Sequence, residues 1–203
     1  SPMNIEFDNS HIDCLLKNIG YQFNNDAILK HALLHSSFVN ELPDENILSN
    51  ERLEFLGDAL LSFIIAEHLY RQYPAFNEAQ MTALRAKIVS RRNLSDSAYK
   101  IGLDKCIKIG GGQKNYDKPP DSILSNMFEA FICAVYLDSD YSTAAKIVLS
   151  IFAMQISDLI IANDYSDYKI KLQQYTLEKY SELPVYKTLK IEGPEHNPLY
   201  TVA

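Results

Sequence analysis

Through the first 160 positions apolar residues recur every three or four places without a sustained two-residue alternation, which predicts an all-α region. Short helices are expected over 9–18, with Gly20 as C-cap, and over 25–33, with Asn25 or Asp26 as N-cap. A loop-like stretch containing Pro43 fills 34–46. Residues 50–70 read as a long helix that is apolar over most of its circumference. Leu53, Phe55, Leu56, Ala59, Leu60, Leu61, Phe63, Ile64 and Ile65 leave it little solvent face, so a central, buried position is expected. Pro74 ends that region. Further helices are expected over 77–90, running on into 93–101 with Gly102 as cap. Others follow over 121–137, capped by Asp121 or Ser122, and over 141–162. Gly110-Gly111-Gly112 breaks the chain between them; no Lys-Ser/Thr follows, so a turn is expected there and not a phosphate loop.

Beyond position 160 the pattern changes. A polar linker covers 161–167, an amphipathic helix 168–181, and the alternating stretch 184–192 reads as a strand. Gly193-Pro194 makes a turn into a second strand from Leu199. So short an α-β-β unit does not bury a core by itself. The expected division is a helical domain over 4–160, the linker 161–167, and a truncated module over 168–203.

Composition narrows the class. The chain of 203 residues is 47% apolar, enough for a sizeable core. Its net charge of -7 does not announce a nucleic-acid binder, although local patches and bound cations decide phosphate contacts. The three cysteines, Cys14, Cys106 and Cys133, are odd in number and widely spaced, which fits buried thiols in a reducing cytoplasm better than a disulfide framework. No uninterrupted apolar run of membrane-spanning length is apparent. The opening Ser-Pro-Met has the look of a tag remnant before Met3.

The candidate chemistry lies on the two most apolar helices. Glu51, Glu54 and Asp58 are spaced by three and then four residues and stack on one side of the first. Arg52, the only cation close in sequence, cannot sit beside all three. Gly57 lies among them, and a mid-helix glycine costs about 1 kcal/mol relative to alanine, so a close backbone approach is expected there. The second helix repeats the pattern with Asn126 and Glu129 inside an apolar run. Carboxylates half-sunk in apolar helices need a partner or a metal. Oxygen donors without His or Cys suit Mg²⁺, or Mn²⁺ in its place. Such ions polarise a phosphodiester and generate hydroxide.

Taken together these residues resemble the ribonuclease III family over nearly the whole chain. Residues 50–60, Asn-Glu-Arg-Leu-Glu-Phe-Leu-Gly-Asp-Ala-Leu, are similar to its signature. Ala32 to Glu41, Leu84-Arg85-Ala86 with Val89-Ser90, and Asp121-Ser122-Ile123-Leu124 before Phe128-Glu129-Ala130 follow its other landmarks in order. Residues 167–203 resemble the first half of a double-stranded-RNA-binding domain. The resemblance implies an all-α endonuclease domain that works as a homodimer, with the signature helices meeting at the dyad and Gly57 explained by that meeting. It implies Mg²⁺-dependent hydrolysis of double-stranded RNA, one strand per subunit, in the processing of rRNA and mRNA precursors. Glu54, Asp58, Asn126 and Glu129 map onto the metal ligands, with Asp58 and Glu129 catalytic; Glu51 and Glu78 map onto accessory acidic positions. Gln173 and His196 map onto minor-groove contacts, which read shape and 2′-hydroxyls.

One departure stands out: the family has Asp where this chain has Asn126. An amide oxygen ligates weakly, brings no charge and cannot act as a base. The isosteric exchange and the tag-like start favour a deliberate replacement over a natural variant with weak catalysis. Gln113 and Ala79 are lesser departures away from the ligands. The rival reading is a non-catalytic double-stranded-RNA-binding protein that keeps the fold. Simpler roles weigh against function elsewhere: capping or packing for His35, plain surface positions for His11 and His68, and a solvated helix face for Arg85, Lys87, Arg91 and Arg92.

Overall fold

A computed structural model describes residues 5–44, 46–113, 118–162, 168–185, 187–192 and 199–202. The elements run α1 (Asn9–Ile19), α2 (Asp26–Ala32), α3 (Ser36–Val39), α4 (Glu51–Gln72), α5 (Glu78–Ile88), α6 (Arg91–Ile101), α7 (Asp121–Asp138), α8 (Tyr141–Ala162) and α9 (Tyr168–Tyr180), then β1 (Thr188–Glu192) and β2 (Leu199–Val202). Short 3₁₀ turns at Leu103–Lys105 and Gly111–Gln113 join α6 to the approach to α7.

Local signals account for most helix ends. Asp8 caps α1 through the Ser10 and His11 amides, and Gly20 closes it in the left-handed region at φ 66°. Asn25 caps α2. Asn77 and Gln80 form a reciprocal capping box at α5. Ser90 caps α6, so the expected run from 77 to 101 is two helices hinged at Val89–Ser90. Asp121 does not cap α7 with its side chain; its carboxylate accepts from Ser95 Oγ at 2.8 Å and from Lys118 Nζ at 3.4 Å. The stretch 34–46 is not all loop. His35 Nδ1 accepts from the Ser37 amide at 3.2 Å and starts the four-residue α3, a turn too short to carry a periodic signal. His35 is thus a capping residue.

The pillar of the fold is α7. Ile123, Leu124, Met127, Phe128 and the unbroken run Ala130–Val135 are all buried. It packs most extensively on α4 and α6, and also on α2 and α8. Its C-terminal Asp138 clasps the α1–α2 connection, accepting from Tyr21 OH at 2.7 Å and from the Asn24 and Asn25 amides at 2.8 Å each. Lys108 and Leu34 form an isolated parallel bridge that ties the 107–109 segment to the end of α2. The glycines that follow lie against α3: the Gly110 amide donates to Ser37 Oγ and the Gly111 amide to Glu41, which makes the triglycine a fastened turn.

The expectation that α4 is buried all round is half right. Leu53, Leu60, Leu61, Ile64, Ile65 and Leu69 are buried, but Phe55 is 81% exposed, Phe63 58% and Tyr70 73%. These three lie on one face with Ala59 and Ala66 between them, so α4 has two apolar faces and a single chain covers one. By length and composition alone α8 is long and apolar enough to cross a membrane, although Lys146, Gln155 and Asp158 interrupt its apolar run. Here it lies on the domain and buries Ala144, Ile147, Val148, Phe152 and Ile156.

In the C-terminal segment β1 and β2 pair antiparallel, Glu192 opposite Leu199 and Ile191 opposite Tyr200. The expected linker over 161–167 starts two residues too early, because α8 continues through Ala162; residues 163–167, the Gly193-Pro194 turn and His196 lie outside the described residues.

Candidate active site

The close approach expected at Gly57 exists, but its partner is not a second subunit. A Cβ at Gly57 would collide with the carbonyl oxygen of Glu129 and lie 2.5 Å from the Glu129 carbonyl carbon and 3.1 Å from its Cα. The absence of a side chain therefore lets α4 and α7 of one chain cross in backbone contact. That replaces the dyad explanation of Gly57. It also puts the crossing point at the candidate ligands: Glu54 and Asp58 flank Gly57 on α4, while Asn126 and Glu129 occupy one turn of α7.

The four side chains are electrostatically joined. Burial pushes the Glu54 carboxyl up, the charges of Glu51 and Asp58 add to this, and the nearby Asn126 side chain opposes it by favouring the ionised form. Glu129 is raised further, to about 7, by burial and by the charges of Asp58 and Glu54. No Lys or Arg is among the groups shifting either carboxyl. Among the described residues, no three His, Cys, Asp or Glu side chains converge closely enough to cage an ion. The fourth member is an amide, Asp58 is exposed, and the cluster opens towards solvent. Uncompensated hard-oxygen donors in an open, half-buried cluster fit a divalent ion that retains part of its water shell. Glu54, Asp58 and Glu129, with the Asn126 amide oxygen, are the residues that would hold it.

The other expected positions divide. Glu51 is exposed, accepts from Ser49 Oγ at 2.8 Å, and reaches the cluster only through its charge on Glu54. It lines a cavity of about 410 Å³ with His31, Leu48, Arg52, Leu56 and Leu137. Glu78 stands apart at the start of α5, accepts from Thr82 Oγ1 at 2.9 Å, and lines a separate cavity of about 350 Å³ with Tyr70, Met81 and Arg85. Lys87, Arg91 and Arg92 are exposed along the α5–α6 hinge. On α9 the Oε1 of Gln173 is enclosed. Sequence reasoning passed over Asn50, which is 1% exposed and lies beneath the site. Its only signal was a polar residue at a helix start, a place where capping is expected.

An all-helical domain whose two core helices cross in backbone contact and hold uncompensated carboxylates there is the frame of a carboxylate-centred hydrolase. Residues 25–156 match the model of a family described as ribonuclease-III-like. The chain is 41% identical over 194 residues to ribonuclease 3 of Borreliella burgdorferi, covering 95% of this chain and 79% of that one. It is 40% identical over 195 residues to ribonuclease 3 of Vibrio vulnificus, covering 96% and 84%. The solved nuclease domain of ribonuclease III from Campylobacter jejuni superposes with a TM-score of 0.64 at 32% identity, covering 71% of this chain and 95% of that one. A second structure of that domain, with TM-score 0.63 and 33% identity over 69% and 94% of the two chains, concerns flexibility in a region involved in dimer formation. This chain belongs to the ribonuclease III family.

Proposed function

We propose that this protein is an endoribonuclease that hydrolyses the phosphodiester bonds of double-stranded RNA in a Mg²⁺-dependent reaction, with Mn²⁺ as substitute. The observation that carries the reading is the crossing of α4 and α7 at Gly57 and Glu129, which gathers Glu54, Asp58, Asn126 and Glu129, with no Lys or Arg among the described groups that shift Glu54 or Glu129. A bound divalent ion supplies Lewis-acid polarisation of the phosphate and a hydroxide nucleophile at neutral pH. The protein's part is to hold and orient. The Asn126 amide favours the ionised form of Glu54. Glu129 and Asp58 are the proposed catalytic pair; burial and the charges of Asp58 and Glu54 raise the Glu129 carboxyl to about 7, and a divalent ion held there would favour its ionised form. Asn126 contributes an oxygen but no charge, so this chain is a weakened form of the enzyme.

The exposed aromatic face of α4 supports a homodimer with one site per subunit, since Phe55, Phe63 and Tyr70 are otherwise left in water. The catalytic domain runs to the end of α8 at Ala162, and 168–203 are part of an RNA-binding module to which Gln173 and His196 belong. Glu51 and Glu78 serve as acidic accessories. The free thiols suit a cytoplasmic enzyme acting on rRNA and mRNA precursors.

The test is cleavage of long duplex RNA with Mg²⁺ or Mn²⁺, before and after Asn126→Asp. The Asp form should cut and the Asn form should cut far more slowly. An Asp form that cuts under neither ion would falsify the nuclease reading, and the rival scaffold reading would stand. An Asn form cutting at full rate would remove position 126 from the ligands.

A further inference from the structure

Asn50 occupies the N-cap position of α4, where asparagine is among the most favoured residues because its side chain can accept from the first-turn amides. Here it makes no such bond. The side chain turns inward and is almost wholly buried. Its Nδ2 donates to the Ala32 carbonyl at the end of α2 (2.8 Å) and to Met127 Sδ on α7 (2.9 Å). Its Oδ1 is buried without a partner among the described residues. Its backbone is pinned as well: the Asn50 amide donates to the Leu34 carbonyl, and its own carbonyl accepts from the Glu54 amide, both at 2.9 Å. A capping bond is thus given up, and a buried acceptor left unpaired, to join three helices at one amide. One of its partners, Ala32, belongs to a small apolar cluster with Leu53 and Ala130.

What the amide joins is the two ligand-bearing turns. Asn50 directly precedes the turn carrying Glu51 and Glu54, and Met127 lies between Asn126 and Glu129. The Asn126 and Glu129 side chains meet Glu54 from across the crossing, so any rotation of α7 about its axis changes the spacing of the cluster. Gly57 sets how closely the helices approach; a contact away from the crossing point is needed to set their rotation. We propose that Asn50 is a positioning residue for the metal-ligating turns, acting through Met127 to hold Asn126 and Glu129 in phase with Glu54 and Asp58. This inference rests on the metal-dependent reading above.

The test separates metal affinity from stability. In the Asn126→Asp protein, Mn²⁺ binding is measured from the electron paramagnetic resonance signal of the free ion, and melting is followed in EDTA. Asn50→Leu removes the unpaired acceptor but leaves the Ala32 carbonyl without its donor. These effects offset, so melting should change little while Mn²⁺ affinity falls about tenfold, the scale seen when the partners that orient ligands are removed. Met127→Leu keeps volume and should weaken binding in the same direction. The double variant should bind no more weakly than Asn50→Leu alone, because the two residues act as one contact. If both single variants fold and keep Mn²⁺ affinity within about twofold of the parent, the inference is wrong. If Asn50→Leu does not fold, Met127→Leu decides alone. A parent that binds no Mn²⁺ overturns the metal reading itself, and the positioning role with it.

Discussion

Replacing Gly57 with alanine tests the geometry at its narrowest point. The added Cβ would lie 2.5 Å from the Glu129 carbonyl carbon, whereas non-bonded carbons rest at about 3.5–4.0 Å. The obstacle is helix backbone that cannot swing aside, so α4 and α7 must part by roughly 1 Å at their crossing. Two effects oppose each other in stability. Alanine gains about 1 kcal/mol of helix propensity, and forcing a methyl into a packed contact costs about 1–3 kcal/mol. The net loss is about 1 kcal/mol, a fall in melting temperature of about 2–4 °C for a domain of this size. The effect on chemistry is larger, because the separation opens between Glu54 and Asp58 on one side and Asn126 and Glu129 on the other. A misplacement of about 1 Å costs on the order of a hundredfold in rate. Melting in EDTA, with cleavage of duplex RNA in the Asn126→Asp background, measures both. The reasoning fails if the alanine protein is more stable by the full propensity gain, or if it folds cooperatively and cuts at the parental rate.

Four further outcomes follow from the same contacts. Restoring a carboxylate with Asn126→Asp should tighten Mn²⁺ binding by at least about tenfold in calorimetric titration, since a charged oxygen replaces a neutral one. The Glu129 carboxyl, raised from 4.5 to about 7, keeps its proton in the folded protein over a range where the unfolded chain has lost it. Without metal, stability should therefore decline as pH rises through that window. Glu129→Gln should remove the decline and stabilise the protein near pH 8 by about 1–2 kcal/mol, after solvent screening reduces a ceiling of about 3; urea midpoints in EDTA that show no pH-dependent difference would refute it. At Asp138, burial would raise the carboxyl but bonds from Tyr21, Asn24 and Asn25 win and hold it low. Its contribution should thus be present above the ordinary carboxylate range and lost as pH falls through its lowered value, and Asp138→Ala should cost about 1–2 kcal/mol at neutral pH by thermal melting. Phe55→Glu should give monomers in light scattering where the parent is a dimer; a parent already monomeric at micromolar concentration removes the dimer from the proposal.

Much of this architecture was legible along the chain because helix ends are local. Gly20, Asn25 and Gly102 each act within a few residues, and all mark real boundaries; Asp8 and the Asn77–Gln80 box are as local but emerge only in the structure. The carboxylate pattern was legible for the same reason: three-and-four spacing stacks Glu54 on Asp58, and Asn126 on Glu129, whatever surrounds the helix. Composition marked both helices as core helices but could not say which face of each would be enclosed. That depended on neighbours, and α7 is covered by α2, α4, α6 and α8 while α4 keeps an aromatic face in water. Nor could it say what approaches Gly57, or that Asn50 abandons its cap for Ala32 and Met127. These contacts join residues far apart in sequence. Their energies exist only once the helices cross, so the chain alone determined which residues were candidates, and the packing of α4 on α7 decided that Glu54, Asp58, Asn126 and Glu129 lie at one crossing.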